Sequence, residues 1–410
     1  MSSNTKKVHV SELRVGMFVS RLDRDWLETP FLLQGFHIEE EGDIDVIAEY
    51  CEHVYIDDEK SVNPKASPYS SNVGTARHIR VNPDIFQPEV PLEDEHRRVI
   101  GTFRQARSLT KTLLDDIRLG GAINTEQARH TVNECVHSVI RHPDALMWMS
   151  KMRDENEYTA EHCLNVCILA IAFGRQLGMG EQELQNLGMC GLLHDVGKMK
   201  IPPEILNKPD TLTPKEMRIM MAHTVHGRNL LLSSSGIYTG AIDVALSHHE
   251  RIDGKGYPRQ LAGSSISRYS KIIAIVDAYD AMTADRCYQS ARTSTEAIKI
   301  IYKERGQHFD EQLALQFLQT VGLYPAGSIV ELHSGEVGMV IEANPRFRHL
   351  PRIVLLRDKD KQPLPKEVMV DLSLVEKGDL SKDYLIKQVW KDKTFGITLK
   401  NYLERGLFMA

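Results

Sequence analysis

Residues 192–198 read Leu-Leu-His-Asp-Val-Gly-Lys and place two metal-type ligands, His194 and Asp195, side by side at the end of an apolar stretch. A carboxylate buried among apolar residues is unfavourable unless a cation or hydrogen bonds neutralise it. A divalent cation would do so. Asp195 could bridge two ions, Gly197 permits close backbone approach, and Lys198 supplies a positive charge near a phosphate. The alternative is an ordinary helix end, where His194 and Asp195 cap backbone groups and Lys198 offsets the helix dipole.

Ionisable residues that bind metals recur on other apolar, helix-forming stretches of the chain. The full set is His162, His194, Asp195, His223, His248, His249 and Asp277. One buried histidine is routine, but all these groups together would repel one another or stay unsatisfied unless cations organised them. Imidazole with carboxylate and no thiolate suits manganese, iron or zinc. With Asp195 shared, the set suits two ions about 3.5–4 Å apart that generate a hydroxide for attack on phosphorus.

Each of these histidines also has a simpler explanation as a satisfied core residue. The adjacent pair His248 and His249 cannot face one way on an ideal helix, so a metal site requires the helix to end there. The prediction therefore depends on the whole set converging, and no single residue carries it.

Length and composition indicate a soluble protein of two or three domains, since the chain has 410 residues, 42% of them hydrophobic and 26% charged. The net charge of −6 argues against binding to a DNA or RNA polymer. No apolar run reaches the length of a membrane span and no signal peptide opens the chain. The six cysteines show no zinc-ribbon spacing and fit free thiols. We therefore expect a cytoplasmic protein.

Changes in composition divide the front of the chain into three parts. Residues 1–60 combine strand-like pieces, one of them over 31–36, with a short helix, and predict a small α+β domain that could be regulatory. Residues 61–91 are rich in proline and serine and predict a linker. Residues 92–145 predict two connecting helices, which either pack on the core or mediate coupling or dimerisation.

The remainder divides into a helical and a β-rich part. Residues 146–324 show one helical pattern after another and no strand-like alternation of polar and apolar residues, so this region is predicted to be all-α. Within it, Thr213 and Glu216 have the spacing of a capping box. Residues 325–410 predict a β-rich extension that opens with a hairpin and has a helical tail near 380–389. The predicted fold class is a multi-domain chain whose all-α domain is flanked by the small α+β domain and the small β-rich extension.

The order of these residues resembles the HD-GYP domain, a bacterial branch of the HD metal-dependent phosphohydrolases. The resemblance covers roughly residues 146–325 and rests on His162, residues 194–198, His223, the signature 248–258 that ends Gly256-Tyr257-Pro258, and Asp277. Residues 13–17, Leu-Arg-Val-Gly-Met, are similar to part of a small domain of unknown function that often precedes HD-GYP domains.

The resemblance implies hydrolysis of cyclic di-GMP or 3′3′-cyclic GMP-AMP to a linear dinucleotide, and onward to mononucleotides. It implies that the residue set above binds two divalent ions, iron or manganese in preference to others, with Asp195 bridging. Lys198 would be catalytic together with Asp195. The expected substrate-binding residues are Lys198, Asp280, Arg286, Gly256 and Tyr257. The expected partners are the cyclic dinucleotide and, through the N-terminal domain, a second copy or a signalling partner.

Two positions depart from the family pattern. Members with three metals have a glutamate where this chain has Tyr158, so we predict two metals. A basic residue is usual where this chain has Gln289, which predicts a weaker phosphate contact and a changed affinity or dinucleotide preference. Two alternatives stay open, a catalytically weak dinucleotide sensor and another HD-type nucleotide phosphohydrolase. The complete ligand set with Lys198 argues against the first, and the Gly-Tyr-Pro loop against the second.

Overall fold

The computed structural model describes residues 5–24, 35–38, 41–61, 88–151, 158–284, 291–344, 347, 349–398 and 402. By their contacts the residues divide into two compact units, 1–81 and 82–410. Within the described ranges, no helix combines the length and the apolar character that a membrane span requires. Most of the predicted linker, residues 62–87, lies outside the described residues.

The N-terminal unit is a four-stranded antiparallel sheet with one helix. Its elements are β1 (Thr5–His9), β2 (Phe18–Leu22), β3 (Phe36–His37), α1 (Glu41–Tyr50) and β4 (His53–Asp57), with strand order β1-β4-β2-β3. Val54 and Ile56 of β4 are buried on one face, and α1 buries Ile47. The α+β prediction is confirmed. Of the strand predicted over 31–36, residues 31–34 lie outside the described residues.

The second unit begins with a helical array. Its helices are α2 (Leu92–Arg118), α3 (Thr125–Arg141), α4 (Pro143–Met149), α5 (Tyr158–Gln176), α6 (Glu181–Leu193), α7 (Pro203–Leu206), α8 (Pro214–Met221), α9 (His223–Leu232), α10 (Thr239–Ser247), α11 (Arg268–Thr283), α12 (Ser294–Lys303) and α13 (Glu311–Val321). Helix α5 contacts α2, α3, α4, α6, α11 and α13. Because it is apolar on most faces, it forms the centre of the array. The all-α prediction is confirmed.

Helices α2 and α3 pack together through a buried carboxylate. Glu95 accepts hydrogen bonds from Ser138 Oγ at 2.8 Å and from Arg141 Nε at 2.7 Å. Both helices also contact α5, and α3 contacts α6. The two connecting helices therefore pack on the helical core, as one of the two sequence-based interpretations proposed.

Further along, Thr213 and Glu216 form the predicted capping box at the start of α8.

A five-stranded antiparallel sheet ends the unit, with β5 (Ile329–Leu332), β6 (Val337–Glu342), β7 (Arg352–Arg357), β8 (Pro363–Asp371) and β9 (Ile386–Trp390) in the order β8-β7-β6-β5-β9. The predicted hairpin is β5–β6. The predicted helical tail near 380–389 is wrong, because β9 pairs along β5. Backbone groups at the edge of β5 gain partners this way, and such tertiary pairing overrides local helix preference. The boundaries at 146 and 325 stay predictions, since residues 82–410 form one unit.

Candidate metal centre

The structure brings all of the predicted ligands together from five parts of the helical array. His162 lies on α5, His194 and Asp195 follow α6, His223 begins α9, His248 and His249 follow α10, and Asp277 lies on α11. They form two groups, one of Asp195, His223, His248 and His249 and one of His162, His194 and Asp277. Within each group the candidate ligand atoms lie within 4.8 Å of one another.

Asp195 lies between the two groups and presents one oxygen to each. Its Oδ2 is 3.5 Å from His162 Nε2 and 3.3 Å from His194 Nε2. Its Oδ1 is 3.4 Å from His223 Nε2 and 3.7 Å from His248 Nε2. A carboxylate placed in this way has the geometry of a bridging ligand.

Asp277 also lies near one imidazole of each group. Its Oδ1 is 3.0 Å from His162 Nε2, and its Oδ2 is 3.9 Å from His249 Nδ1. The two groups are therefore one cluster with two shared carboxylates.

Main-chain carbonyls fix the orientation of three imidazole rings. In each ring Nδ1 lies at hydrogen-bond distance from a carbonyl oxygen. The pairs are His194 with Gly191 at 2.7 Å, His223 with Met220 at 2.6 Å and His248 with Val244 at 3.0 Å. A carbonyl can only accept, so Nδ1 must carry the proton and Nε2 presents its lone pair to Asp195. In proteins, a hydrogen bond of this kind to the second ring nitrogen fixes the orientation and the tautomer of metal-binding histidines.

His162 is oriented by a carboxylate instead. Its Nδ1 lies 2.8 Å from Asp280 Oδ2, and Asp280 is only 2% exposed. Asp280 follows Asp277 by three residues on α11, so the two carboxylates approach the same imidazole from one helix face. This position supports a role in orienting His162, and the substrate contact that the sequence analysis predicted for Asp280 stays a prediction.

Several buried atoms of the cluster fit a cation. His194 Nε2 and Asp195 Oδ1 are buried and make no hydrogen bond of acceptable geometry among the described residues. The Nε2 atoms of His223 and His248 face each other at 3.4 Å, although both rings carry their proton on Nδ1. Two lone pairs so close repel unless a cation lies between them. The donor set of nitrogen and oxygen without thiolate suits manganese, iron or zinc.

The protonation states suit metal binding as well. Burial lowers the pKa of His223 to about 3 and holds that of His249 well below its usual range. Burial alone would raise the pKa of Asp195, but Lys198 and His194 outweigh it and hold that pKa well below its ordinary value. The His162 imidazole does the same for the pKa of Asp277, again against the effect of burial. At neutral pH His223 and His249 are therefore neutral imidazoles, and Asp195 and Asp277 are ionised carboxylates.

Two glycines allow backbone segments to approach closely around the ligands. A β-carbon on Gly197 would overlap the carbonyl oxygen of His223 and the nitrogen of Gly227. One on Gly256 would overlap the backbone around Glu250. Gly256, which the sequence analysis placed among the substrate-binding residues, therefore serves at least to bring the Gly-Tyr-Pro loop against the backbone beside the histidine pair.

The end of α10 lets two adjacent histidines face the cluster. The helix stops at Ser247, and His248 and His249 follow it with their ring centroids 4.1 Å apart. The helix end that the sequence analysis required is therefore present. Next to it, the ring of Tyr257 lies 4.8 Å from that of His249 and lines the cleft above the cluster.

Sequence reasoning missed Glu250, which holds the Gly-Tyr-Pro loop in place. Its side chain is buried and accepts hydrogen bonds from the backbone nitrogens of Arg259 at 2.7 Å and Leu261 at 2.9 Å. A carboxylate directly after two ligands is easily taken for another ligand or for a surface charge. Only the position of Glu250 beside the loop shows that it accepts hydrogen bonds from the backbone there.

The cluster opens onto a cleft of about 1270 Å³. Lys198 lines this cleft and donates a hydrogen bond to Asp195 Oδ2. The predicted phosphate ligand Arg286 and the departure at Gln289 lie within residues 285–290, outside the described residues. The side chain of Tyr158 is outside them too, so the predicted number of metals stays a prediction.

Known proteins match both parts of the chain. The HD domain family matches residues 144–313, and the domain of unknown function DUF3391 matches residues 5–128. A cyclic di-GMP phosphodiesterase from Pseudomonas aeruginosa is 36% identical over 94% of this chain and 93% of its own. The 3′3′-cGAMP-specific phosphodiesterase 2 of Vibrio cholerae is 33% identical over 39% of this chain and 31% of its own. A solved HDG"Y"P protein from Bdellovibrio bacteriovorus aligns with a TM-score of 0.44 and 15% identity, covering 78% of this chain and 99% of that one.

Proposed function

Because the chain belongs to the HD-GYP family of cyclic-dinucleotide phosphodiesterases, with a DUF3391 domain in front, we propose that it hydrolyses cyclic di-GMP at the His/Asp cluster. The observation that carries the proposal is the shared position of Asp195, which faces both groups of candidate ligands. 3′3′-cyclic GMP-AMP is the second substrate, because relatives that match the catalytic region act on it. In the products, the water oxygen joins phosphorus and the released ribose 3′ oxygen takes a proton, which gives a linear dinucleotide.

Two divalent ions, manganese or iron, would be held by the two groups with Asp195 and Asp277 between them. When bound, they supply Lewis acidity and a water of lowered pKa. The remaining chemistry belongs to the chain itself. Lys198 lies beside Asp195 on the cleft wall, where its ammonium group can hold a phosphate oxygen and stabilise the charge that develops on it. We also propose two further contacts to the substrate, Tyr257, which lines the cleft, and Arg286, which the sequence motif suggests.

The test is turnover by the purified full chain loaded with manganese, or with ferrous iron under anaerobic conditions. Cyclic di-GMP and 3′3′-cyclic GMP-AMP are supplied separately, and the products are separated by chromatography. We expect linear dinucleotide, and we expect Asp195→Asn to lower kcat at least about 1000-fold, because one substitution weakens both groups of ligands. Asp360→Asn, in an exposed turn between β7 and β8, is the matched control and should retain full activity.

Two outcomes would overturn the proposal. Absence of turnover of either dinucleotide with every divalent metal tried would exclude the enzymatic function. Tight binding measured by calorimetry without any product would identify a sensor instead.

A further inference from the structure

We propose that the C-terminal sheet forms part of the substrate site through Trp390, Lys391 and Lys393, which we call the β9 wall. Trp390 would stack on one base of the cyclic dinucleotide, and the lysines would neutralise the phosphate that is not being cleaved. This inference rests on the proposed function. It assigns a role to residues beyond the HD domain match, which ends at residue 313.

The β9 wall and the metal cluster line the same cleft. On the cluster side the cleft is lined by Lys198, His223 and Tyr257, and on the sheet side by residues 389–393. Its volume of about 1270 Å³ exceeds the roughly 300–1,000 Å³ of ordinary small-molecule pockets. A single phosphodiester group would fill little of this space, whereas a dinucleotide extends from the cluster toward a second wall.

Trp390 is held in one orientation from behind. Its Nε1 donates a hydrogen bond to Glu331 Oε2 at 2.8 Å, and Glu331 is buried. The same carboxylate accepts from Gln388 Nε2 at 3.1 Å and from Lys361 Nζ at 3.0 Å. Phe395 meets the indole in an edge-to-face contact, with the ring centroids 5.3 Å apart and an interplanar angle of 80°. A half-buried aromatic ring fixed in this way on a cleft wall is a platform on which a base can stack at little entropic cost.

The charge of the cleft supports an anionic ligand with more than one charge. Among the described residues that line it, seven are lysine or arginine and four are aspartate or glutamate. Lys391 directly follows Trp390 in the chain, Lys393 lies two residues further on with Asp392 between them, and residues 391–393 are all exposed. A cyclic dinucleotide carries two phosphodiester charges. The cluster with Lys198 would take one, so the other requires cations elsewhere in the cleft, which the β9 wall supplies.

The sheet is held against the helical array, so the β9 wall keeps its place relative to the cluster. Asp144 Oδ2, at the start of α4, accepts a hydrogen bond from the backbone nitrogen of Ala343 at 3.0 Å. Beside it, His142 Nε2 lies 3.3 Å from Glu342 Oε1 at the end of β6. These contacts position the sheet that carries β9 without a bound ligand.

The first test compares Trp390→Leu with Trp390→Phe in the full, manganese-loaded chain. Both variants lose the hydrogen bond to Glu331, and only phenylalanine keeps a ring on which a base can stack. We expect Trp390→Leu to raise KM for cyclic di-GMP about 10- to 100-fold with kcat changed less than about threefold, and Trp390→Phe to stay within about fivefold of the wild type. Because stacking tolerates different bases, the ratio of kcat/KM values for the two dinucleotides should not change.

The second test uses the double variant Lys391→Ala/Lys393→Ala, with Lys366→Ala as the matched control. Lys366 is exposed on β8 and does not line the cleft. We expect the double variant to raise KM about 10-fold and to flatten its dependence on salt, whereas the control should match the wild type. Bound manganese, measured by elemental analysis, should equal that of the wild type in every variant.

The results separate this inference from the proposed function. If the wild type turns over cyclic di-GMP and both Trp390→Leu and the double lysine variant keep its KM, the β9 wall does not contact substrate and the inference is overturned. An equal rise of KM in the leucine and phenylalanine variants would assign Trp390 a structural role and overturn the stacking. No turnover by the wild type would overturn the proposed function and this inference together.

Discussion

At the scale of single residues, the cluster depends on the groups that hydrogen-bond to the candidate ligands as much as on the ligands themselves. Three imidazoles are oriented by backbone carbonyls, but His162 depends on the carboxylate of Asp280. A carboxylate raises the basicity of the imidazole it contacts, and loss of such a partner typically lowers metal affinity 10- to 100-fold. Asp280 is therefore the residue outside the candidate ligands whose substitution should affect the metal most.

We predict that Asp280→Ala weakens manganese binding about 10- to 100-fold, and that Asp280→Asn, which keeps an acceptor for His162 Nδ1, weakens it less. Metal titration followed by calorimetry measures the affinities. Activity of the alanine variant should recover in part when manganese is added in excess. If both variants bound metal like the wild type while KM rose, Asp280 would contact substrate, as the sequence analysis first predicted.

At the scale of secondary structure elements, the ligands are placed by close backbone packing. The turn Val196–Lys200 follows Asp195 and lies against the start of α9, where Gly197 meets the backbone of His223 and Gly227. An alanine at position 197 would force apart two segments that each carry candidate ligands. The same substitution is harmless in principle at Gly101, in the middle of α2, where a β-carbon would meet no atom within 4 Å.

We predict that Gly197→Ala lowers the free energy of unfolding by at least about 2 kcal/mol and weakens metal binding, because the overlap is with backbone and cannot be relieved by a side-chain rotation. Gly101→Ala should raise the free energy of unfolding by about 0.5–1 kcal/mol, since alanine restricts the unfolded chain and favours the helix. Denaturant unfolding measures both. Equal stability of the two variants would contradict the packing described here.

The contact between α2 and α4 includes a buried histidine that should make the fold acid-sensitive. His96 is 3% exposed and meets Trp148 edge-to-face with ring centroids 5.2 Å apart. Burial lowers the pKa of His96 to about 4, against 6.5 for an unburied histidine. The unfolded chain therefore binds the proton more tightly, and this residue removes stability as the pH falls from about 6.5 to about 4.

We predict that His96→Phe reduces the loss of unfolding free energy between pH 6.5 and pH 4.5 by roughly 2–3 kcal/mol, at about 1.4 kcal/mol per pH unit. Denaturant unfolding at a series of pH values measures it. His130→Asn, which removes an exposed histidine from α3, should leave the pH dependence as it is in the wild type. An unchanged slope in the phenylalanine variant would show that His96 is not the group responsible.

How far the sequence could predict these elements depends on the kind of signal. The candidate ligands could be identified from the sequence because an ionisable residue is unexpected in an apolar stretch, as His162 is on α5. The strand β9 could not be found, because it forms by pairing with β5, more than fifty residues earlier in the chain. Asp280 was noticed, but its spacing from Asp277 does not reveal which imidazole it meets.

At the scale of the whole molecule, metal binding and folding of the second unit should be coupled, because the candidate ligands come from five parts of the helical array. A ligand that binds only the folded state stabilises it by RT ln(1 + [L]/Kd), about 2.7 kcal/mol at a hundredfold excess over Kd. The N-terminal unit contains no part of this cluster and should not respond directly.

We predict that removing metal with a chelator lowers the Tm of the transition of residues 82–410 by several degrees, and that adding manganese back restores it. Differential scanning calorimetry of the full chain measures this. Asp195→Asn should abolish the shift, because it removes a carboxylate that faces both groups. A chelator effect of the same size in that variant would show that the metal responsible binds elsewhere.

The carbonyl groups that contact three of the imidazoles limit what mutation can change at this centre. Gly191, Met220 and Val244 contact the rings through main-chain atoms, which every amino acid possesses, so no exchange of side chain can delete those acceptors. Point mutations can therefore change the charge and the imidazole basicity of this centre chiefly at three acidic residues, Asp195, Asp277 and Asp280. An engineer who wants the protein to prefer a different metal should begin with those carboxylates and leave the histidines alone.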